Sequence, residues 1–166
     1  MGRAKMIRRL MLGMTAGLLI ATTTWAGGPL PFTADSLAKI RAQYAGRPFI
    51  LSLWSVRDCS YCIAELTMLG RLAKTRKLPL VLVATDSPEL APAMQKTLDR
   101  LGLAHADSWV FDDAIPERLR HAIDPTWYGE LPRTYLYDAQ HRREAVVGEL
   151  SEKHLRDWLE KQGLAN

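Results

Sequence analysis

The chain has 166 residues, of which 48% are hydrophobic and 24% are charged, with 22 Lys and Arg against 18 Asp and Glu. This length accommodates one ordinary domain with a targeting segment and excludes two domains. The composition is that of a packed globular protein and excludes a mainly disordered chain. The net charge of +4 comes entirely from residues 1–26, which contain four basic residues and no acid. The rest of the chain is neutral, so it has no electrostatic signature of nucleic-acid binding.

The first 26 residues have the three-part pattern of a secretory signal peptide. A basic start precedes an apolar run from Leu10 to Ala21, and Thr24 and Ala26 place small residues at the −3 and −1 positions of a cut after Ala26. The apolar run is about 12 residues long, whereas a membrane-spanning helix needs about 20. We therefore predict a cleaved signal peptide at residues 1–26 and a periplasmic protein, with an uncleaved membrane anchor as the alternative. The periplasm is oxidising, so disulfides persist there.

After the leader, the sequence predicts a short N-terminal segment and one main domain. Residues 27–34 are rich in Gly and Pro and predict a flexible lead-in. Asp35 or Ser36 can cap a short helix that ends at Tyr44. Because Gly46 and Pro48 interrupt this helix, we assign residues 27–45 to the lead-in and short helix and residues 46–166 to the domain.

From residue 46 onward, apolar runs predict strands, and apolar residues at helical spacing predict helices. The strands are expected at Phe49–Trp54, Leu80–Ala84, Trp109–Phe111, Thr134–Tyr137 and Ala145–Val147. The helices are expected from Cys59 to Lys77, from Ser87 to about Leu101, from Pro116 to about Ile123, and after Ser151. Strands that alternate with helices and are followed by a hairpin predict an α/β domain with a central mixed sheet covered by helices.

The only two cysteines, Cys59 and Cys62, lie where a predicted strand gives way to a helix. Three interpretations compete. A structural disulfide that closes so small a ring would add only about 2 kcal/mol to stability. A zinc site would need two further ligands, and none of the four histidines has paired ligand spacing with another.

The third interpretation is a redox-active dithiol. The first turn of a helix has unpaired N–H groups and a partial positive charge, which stabilise a thiolate at Cys59. Cys62 follows one turn later, close enough to form a disulfide and shielded by its inward direction. Thiol–disulfide exchange requires this asymmetry, because one sulfur attacks and the other resolves the mixed disulfide. In an exported chain with no other cysteine, we favour this interpretation.

Two segments of the sequence carry more specific patterns. Residues 53–66 read LWSVRDCSYCIAEL, and residues 129–138 read GELPRTYLYD. The first resembles the strand, tryptophan and Cys-x-x-Cys-x-x-Glu pattern of the TlpA-like periplasmic branch of the thioredoxin superfamily. The second is similar to the Gly-x-Pro-x-Thr-Phe-Leu-x-Asp strand of that branch. The chain departs from the family pattern by one extra residue before Cys59, one extra residue before Pro132, and Asp58 in place of an aromatic residue.

The resemblance implies a thioredoxin-like fold, in which helices cover both faces of the mixed sheet. It also implies a cis peptide bond between Leu131 and Pro132 beside the cysteines. The backbone of Leu131 would then pair with an extended substrate strand. We assign three residues to substrate binding, namely Trp54, Leu131 and Pro132.

Glu65 resembles an acidic residue that TlpA-like proteins place in the helix after the cysteines. Ser52 occupies the strand position at which thioredoxins proper carry a buried acid. We expect Glu65 to accept the proton of the resolving Cys62 thiol, and an ordinary solvated glutamate is the alternative.

The resemblance implies a thiol–disulfide oxidoreductase with cysteine-containing substrate proteins, such as apocytochromes or copper-site proteins. Asp58 opposes a thiolate at Cys59, and no histidine lies between the cysteines, so we expect a weakly oxidising disulfide and therefore a reductase. A membrane thiol–disulfide carrier would supply the electrons. We expect a monomer that needs no cofactor or metal. The alternatives are a protein that donates disulfides and a chaperone that binds copper through Cys59 and Cys62.

Overall fold

The computed structural model describes residues 28–57 and 59–164. The predicted signal peptide and Asp58 lie outside the described residues. Within those two ranges, no helix combines the length and the apolar character that crossing a bilayer requires.

The described residues form six strands and five α-helices. The strands are β1 (Leu30–Phe32), β2 (Phe49–Trp54), β3 (Leu80–Ala84), β4 (Asp107–Phe111), β5 (Arg133–Tyr137) and β6 (Arg143–Val147). The helices are α1 (Ser36–Gln43), α2 (Ser60–Ala73), α3 (Ala91–Arg100), α4 (Pro116–Ile123) and α5 (Glu152–Lys161). A short 3-10 helix, Pro88–Leu90, leads directly into α3.

The strands form one mixed sheet in the order β1-β4-β3-β2-β5-β6. Strands β1, β4, β3 and β2 are mutually parallel, β5 runs antiparallel to β2, and β6 runs antiparallel to β5. Parallel neighbours need long crossover connections, which α2 and α3 provide, whereas the β5–β6 hairpin needs only a short turn. The predicted alternation followed by a hairpin is confirmed.

Helices cover both faces of the sheet, as the resemblance implies. Strand β2 is buried along its whole length, so its alternate side chains supply two separate cores. Ile50 and Trp54 belong to the core that lies under α2, α3 and α5. Leu51 and Leu53 belong to the core on the opposite face, under α1 and α4. This second core also contains Phe32.

The N-terminal segment differs from the predicted flexible lead-in. Residues 30–32 form an edge strand beside β4, and Phe32 is fully buried and stacks on Phe111 with ring centroids 5.7 Å apart. Pro31 is tolerated because an edge strand leaves some of its N–H positions unpaired. Burial of Phe32 outweighs the local preference of Gly and Pro for loops. Phe32 and Ile40 share one core with the rest of the sheet, so this segment is packed as part of the same unit.

The ends of two helices also differ from the predicted ends. Helix α2 stops at Ala73, and the Thr75 hydroxyl and the Arg76 N–H both bind the carbonyl of Leu72. The stretch after Ser87 begins as a 3-10 turn before α3. Pro92 then lies in the first turn of α3, where a missing N–H leaves no helical hydrogen bond unmade.

Candidate active site

Cys59 and Cys62 form a disulfide at the start of α2. Cys59 is the N-cap residue with an extended backbone, and its Sγ accepts a hydrogen bond from the Cys62 N–H at 3.1 Å. The first cysteine keeps 9% of its surface exposed, whereas the second is fully buried. Only Cys59 is therefore open to attack on, or by, an external sulfur. A hydrogen bond from a helical N–H also stabilises a thiolate at this position.

The second part of the site is the loop that leads into β5. The peptide bond between Leu131 and Pro132 is cis. The side chain of Leu131 is partly buried and packs against the core that contains both cysteines. Pro132 is buried, and its carbonyl oxygen accepts a hydrogen bond from the Gly148 N–H at 3.0 Å. The structure thus brings the predicted proline segment to the same region as the disulfide.

The structure corrects the assignment of Trp54 to substrate binding. Trp54 is only 1% exposed and packs in the core cluster that contains Cys59 and Cys62. Its indole Nε1 has no hydrogen-bond partner among the described residues. Because β2 lies inside the sheet, Trp54 at its end points into the core, in the same cluster as both cysteines.

Glu65 lies inside the protein, so the solvated alternative is wrong. The side chain of Glu65 is 1% exposed. Glu65 follows Cys62 by one turn of α2, a spacing that places the Cβ atoms of two residues about 5–6 Å apart. Ser52 and Thr134 donate hydrogen bonds to Glu65 Oε1 at 2.9 and 2.7 Å. The Leu150 N–H donates to Oε2 at 2.8 Å. Two strands and the segment before α5 therefore hold this one carboxyl group.

Burial raises the pKa of Glu65 above its ordinary value. The hydrogen bonds from Leu150, Thr134 and Ser52 act in the opposite direction, because they favour the carboxylate, but they only partly offset the effect of burial. A carboxyl group whose pKa is shifted upwards binds a proton more readily than an ordinary carboxylate does. In the sequence, Ser52 on its strand and Glu65 on its helix are two separate positions. In the structure a hydrogen bond joins them.

A charged cluster that the sequence did not reveal lies directly after Pro132. The guanidinium of Arg133 is almost fully buried and donates to Asp124 at 3.0 Å and to Glu130 at 2.8 Å. It also donates to the hydroxyl of Tyr135 at 2.7 Å, and that hydroxyl in turn donates to Asp124 at 2.9 Å. The cluster ties both sides of the Leu131–Pro132 peptide to the end of α4. Isolated charges in a sequence give no signal for such a contact.

Among the described residues, no three His, Cys, Asp or Glu side chains are grouped closely enough to hold a metal ion. The histidines considered as zinc ligands are distributed over separate elements. His141 contacts the carbonyl of Tyr44, and His154 contacts Glu144.

Comparison with solved structures assigns the architecture. A secreted disulfide oxidoreductase of Mycobacterium tuberculosis, described as homologous to E. coli DsbE, superposes with a TM-score of 0.55 at 20% identity, over 72% of this chain and 85% of the other. A thiol:disulfide interchange protein of the thioredoxin family from Chlorobium tepidum gives 0.57 at 19% identity, over 74% and 83%. A DsbF homologue from Corynebacterium diphtheriae gives 0.55 at 21%, over 73% and 75%.

The chain has the thioredoxin-like fold. No protein-family model and no curated protein matches the sequence. The likeness therefore lies in the three-dimensional arrangement. In this thioredoxin-like domain, the disulfide occupies the junction of β2 and α2, and the cis-proline loop occupies the start of β5.

Proposed function

We propose that this thioredoxin-like protein is an exported thiol–disulfide oxidoreductase that reduces disulfides in periplasmic proteins. The observation that carries the proposal is the disulfide at the N-terminus of α2, in which Cys59 is 9% exposed and Cys62 is fully buried. The solved structures with the same fold include proteins described as disulfide oxidoreductases and thiol:disulfide interchange proteins, which supports the same chemistry here.

In the proposed reaction, the reduced protein attacks the substrate first through Cys59. The Cys59 thiolate attacks one sulfur of a substrate disulfide, that bond breaks, and the other substrate sulfur leaves as a thiolate. The Cys62 thiol then gives up its proton, and its thiolate attacks Cys59 Sγ. The remaining substrate sulfur leaves, so the substrate has gained two electrons and the protein carries the Cys59–Cys62 disulfide.

Glu65 is the proposed acceptor of the Cys62 proton. It is buried beside Cys62 on the same helix, and its raised pKa suits transfer from a thiol better than an ordinary carboxylate would. Ser52 and Thr134 hold the carboxyl group in place through their hydroxyls, which can either donate or accept a hydrogen bond. The pair can therefore accommodate both protonation states of Glu65.

Substrate binding is proposed at the cis-proline loop. The backbone around Leu131 would pair with an extended substrate segment that carries a cysteine, and Pro132 would shape that surface. Suitable substrates are apocytochromes awaiting haem or copper-site proteins that need reduced thiols. The predicted leader would deliver the protein to the periplasm. A membrane carrier with a dithiol would return two electrons to a monomeric protein, since the oxidising compartment supplies no thiols.

The direction of electron flow is tested by the reduction potential of the Cys59–Cys62 pair. The mature protein is equilibrated with thiol–disulfide buffers of defined potential, and the fraction oxidised is measured. We expect a value near the roughly −270 mV of thioredoxin, because Asp58 precedes Cys59 and no histidine lies between the two cysteines to stabilise the thiolate. A value near roughly −120 mV would instead identify a disulfide donor.

Cysteine variants test the chemistry itself. Cys59→Ser should abolish reduction of a protein disulfide, and Cys62→Ser should accumulate a mixed disulfide with substrate that is visible by mass spectrometry. Turnover that survives in Cys59→Ser would exclude the proposed nucleophile. Stoichiometric copper binding by the reduced protein, with negligible disulfide exchange, would favour the copper chaperone.

A further inference from the structure

A polar pocket of about 470 Å³, a volume typical of ligand sites, is lined in part by residues that adjoin the cysteines and the cis-proline in the chain. It lies where the segments that follow β2 and β3 meet the loop before β5. Two of its lining residues belong to the reactive region, since Arg57 precedes Cys59 by two positions and Leu131 precedes Pro132 directly. A polypeptide bound at the cysteines would therefore pass the mouth of this pocket.

The charges that line the pocket are two guanidinium groups and one carboxylate, which belong to Arg57, Arg120 and Asp86. The carboxylate is already engaged by the protein. Its two oxygens accept hydrogen bonds from the Ser55 hydroxyl and from the Val56 N–H, both at 2.9 Å. Asp86 thus holds the loop that leads to Cys59, and the two arginines supply the positive charge of the pocket.

Arg120 reaches the pocket from the last turn of α4. Its side chain lies across Gly129, where a Cβ atom would come within 3.5 Å of the Arg120 Cδ and guanidinium. The positive φ of 104° at Gly129 also favours glycine there. Arg120 forms an ion pair with Glu117, but Glu117 is 67% exposed, and such surface pairs are weak. A guanidinium has five N–H donors, so Arg120 can bind a second carboxylate.

Arg57 is exposed and forms no ion pair with any residue in the described ranges. Its backbone N–H binds the Ser55 hydroxyl at 3.1 Å, which fixes the start of the side chain at the pocket edge. Two arginines from different elements therefore converge on one pocket. A guanidinium can bind a carboxylate through two parallel N–H groups, so either arginine can recognise this group.

We propose that this pocket is a subsite that binds the side-chain carboxylate of an Asp or Glu in the substrate polypeptide, within two residues of the target cysteine. The inference rests on the proposed function, because it requires a polypeptide substrate extended along the Leu131 segment. A strand advances about 3.3 Å per residue, and successive side chains point to opposite faces. When the substrate cysteine faces Cys59, the side chains of the residues next to it in the substrate are close enough to enter the pocket. Substrates with acidic residues beside the cysteine would be preferred.

The test uses two synthetic peptides with the same internal disulfide, one with Asp on both sides of the target cysteine and one with Asn. Pre-reduced protein is mixed with each peptide, and the second-order rate constant for peptide reduction is measured at low and high salt. We expect the Asp peptide to react about tenfold faster at low salt, the effect of one charge-assisted contact, with a smaller difference at high salt. The double variant Arg57→Gln/Arg120→Gln should remove the preference.

Arg118→Gln is the matched control. Arg118 is an exposed arginine on the same helix as Arg120 and does not line the pocket. Arg118→Gln therefore loses the same single charge as Arg120→Gln, and it should keep the preference that Arg120→Gln weakens. Equal rates for the two peptides, or a preference that Arg118→Gln removes equally, would overturn the subsite while leaving the oxidoreductase intact. If neither peptide is reduced, the proposed function fails and the subsite fails with it.

Discussion

Glu65 places a carboxyl group in the interior, where its charged form is costly. Burial raises the pKa of Glu65, so the folded protein keeps this proton to a higher pH than the unfolded chain does. Its favourable contribution to stability is complete below the unfolded pKa and is lost as the pH rises through the folded pKa. A buried acid with this property suits proton transfer better than structural support.

Replacing Glu65 with Gln tests that role. We expect Glu65→Gln to slow release of the mixed disulfide by about 100-fold, as is usual when a general base is removed. The rate of the wild-type protein should rise with pH through the raised pKa, and the variant should lack this rise. Rapid-quench measurement of the mixed disulfide between pH 5 and 8 gives both results. An unchanged rate and pH profile would refute the proton-acceptor role.

Glu65→Gln should also change how the free energy of unfolding depends on pH, an effect that a loss of catalysis alone would not produce. Gln can keep the hydrogen bond from Leu150 and can donate to Ser52 or Thr134, but it never ionises. The free energy of unfolding of the variant, relative to wild type, should therefore increase as the pH rises above the ordinary Glu value and through the raised pKa of Glu65. Urea denaturation of the oxidised proteins at several pH values measures this difference.

In Asp124, unlike in Glu65, hydrogen bonds affect the pKa more than burial does. Burial by itself would raise the pKa of Asp124, but hydrogen bonds from Thr126, Tyr135 and Arg133 outweigh it and hold the pKa well below its usual range. Its contribution to stability is present above the unfolded pKa and is lost as the pH falls through the folded pKa.

Removing Arg133 should leave Asp124 buried with one partner fewer. We expect Arg133→Met to lower the free energy of unfolding by about 3 kcal/mol at neutral pH. The variant removes the cation of a buried ion pair but leaves the carboxylate of Asp124 buried. Arg142→Met is the control, since its pair with Asp138 leaves Arg142 81% exposed, and it should cost less than about 1 kcal/mol. Similar losses in the two variants, measured by urea denaturation, would mean that burial does not strengthen the cluster.

At the scale of elements, α2 and the end of α3 approach so closely that only glycine fits between them. A Cβ atom on Gly70 would lie 2.0 Å from the carbonyl oxygen of Leu101. Since that oxygen belongs to the backbone, it cannot move aside as a flexible side chain would. The contact joins the helix that carries the cysteines to the crossover that precedes β4.

Gly70→Ala is therefore expected to destabilise the protein, although alanine favours helices. The overlap should cost about 2 kcal/mol or more, which exceeds the gain of about 1 kcal/mol from helix propensity. Gly28→Ala is the control, because its added Cβ meets no atom within 4 Å. Thermal unfolding compares the two, and a Gly70→Ala variant as stable as wild type would show that α2 and α3 can separate.

At the scale of the whole molecule, the redox state of the cysteines is linked to folding. A strongly oxidising disulfide arises when the reduced form of a protein is the more stable one. For a reductase we expect the reverse, so the oxidised protein should have the larger free energy of unfolding. Urea denaturation with and without a reductant tests this. A reduced form that is more stable than the oxidised form would indicate a disulfide donor.

The sequence alone determined the elements whose signal is local. Continuous apolar runs identified β2 and β3 with their observed ends, and a proline start with helical spacing identified α4 in the same way. The segments around the cysteines and around Pro132 resemble the thioredoxin superfamily, and that resemblance implied the fold. These features depend only on residues close together in the chain.

The tertiary structure alone decided which distant residues meet. Phe32 forms a strand because its ring packs on β4, and Trp54 is unavailable to substrate because β2 is central. The chemical character of Glu65 comes from burial and from contacts with residues up to 85 positions away. Periodicity records which face of an element is apolar, but the energy of a buried charge depends on neighbours that only the folded chain brings together.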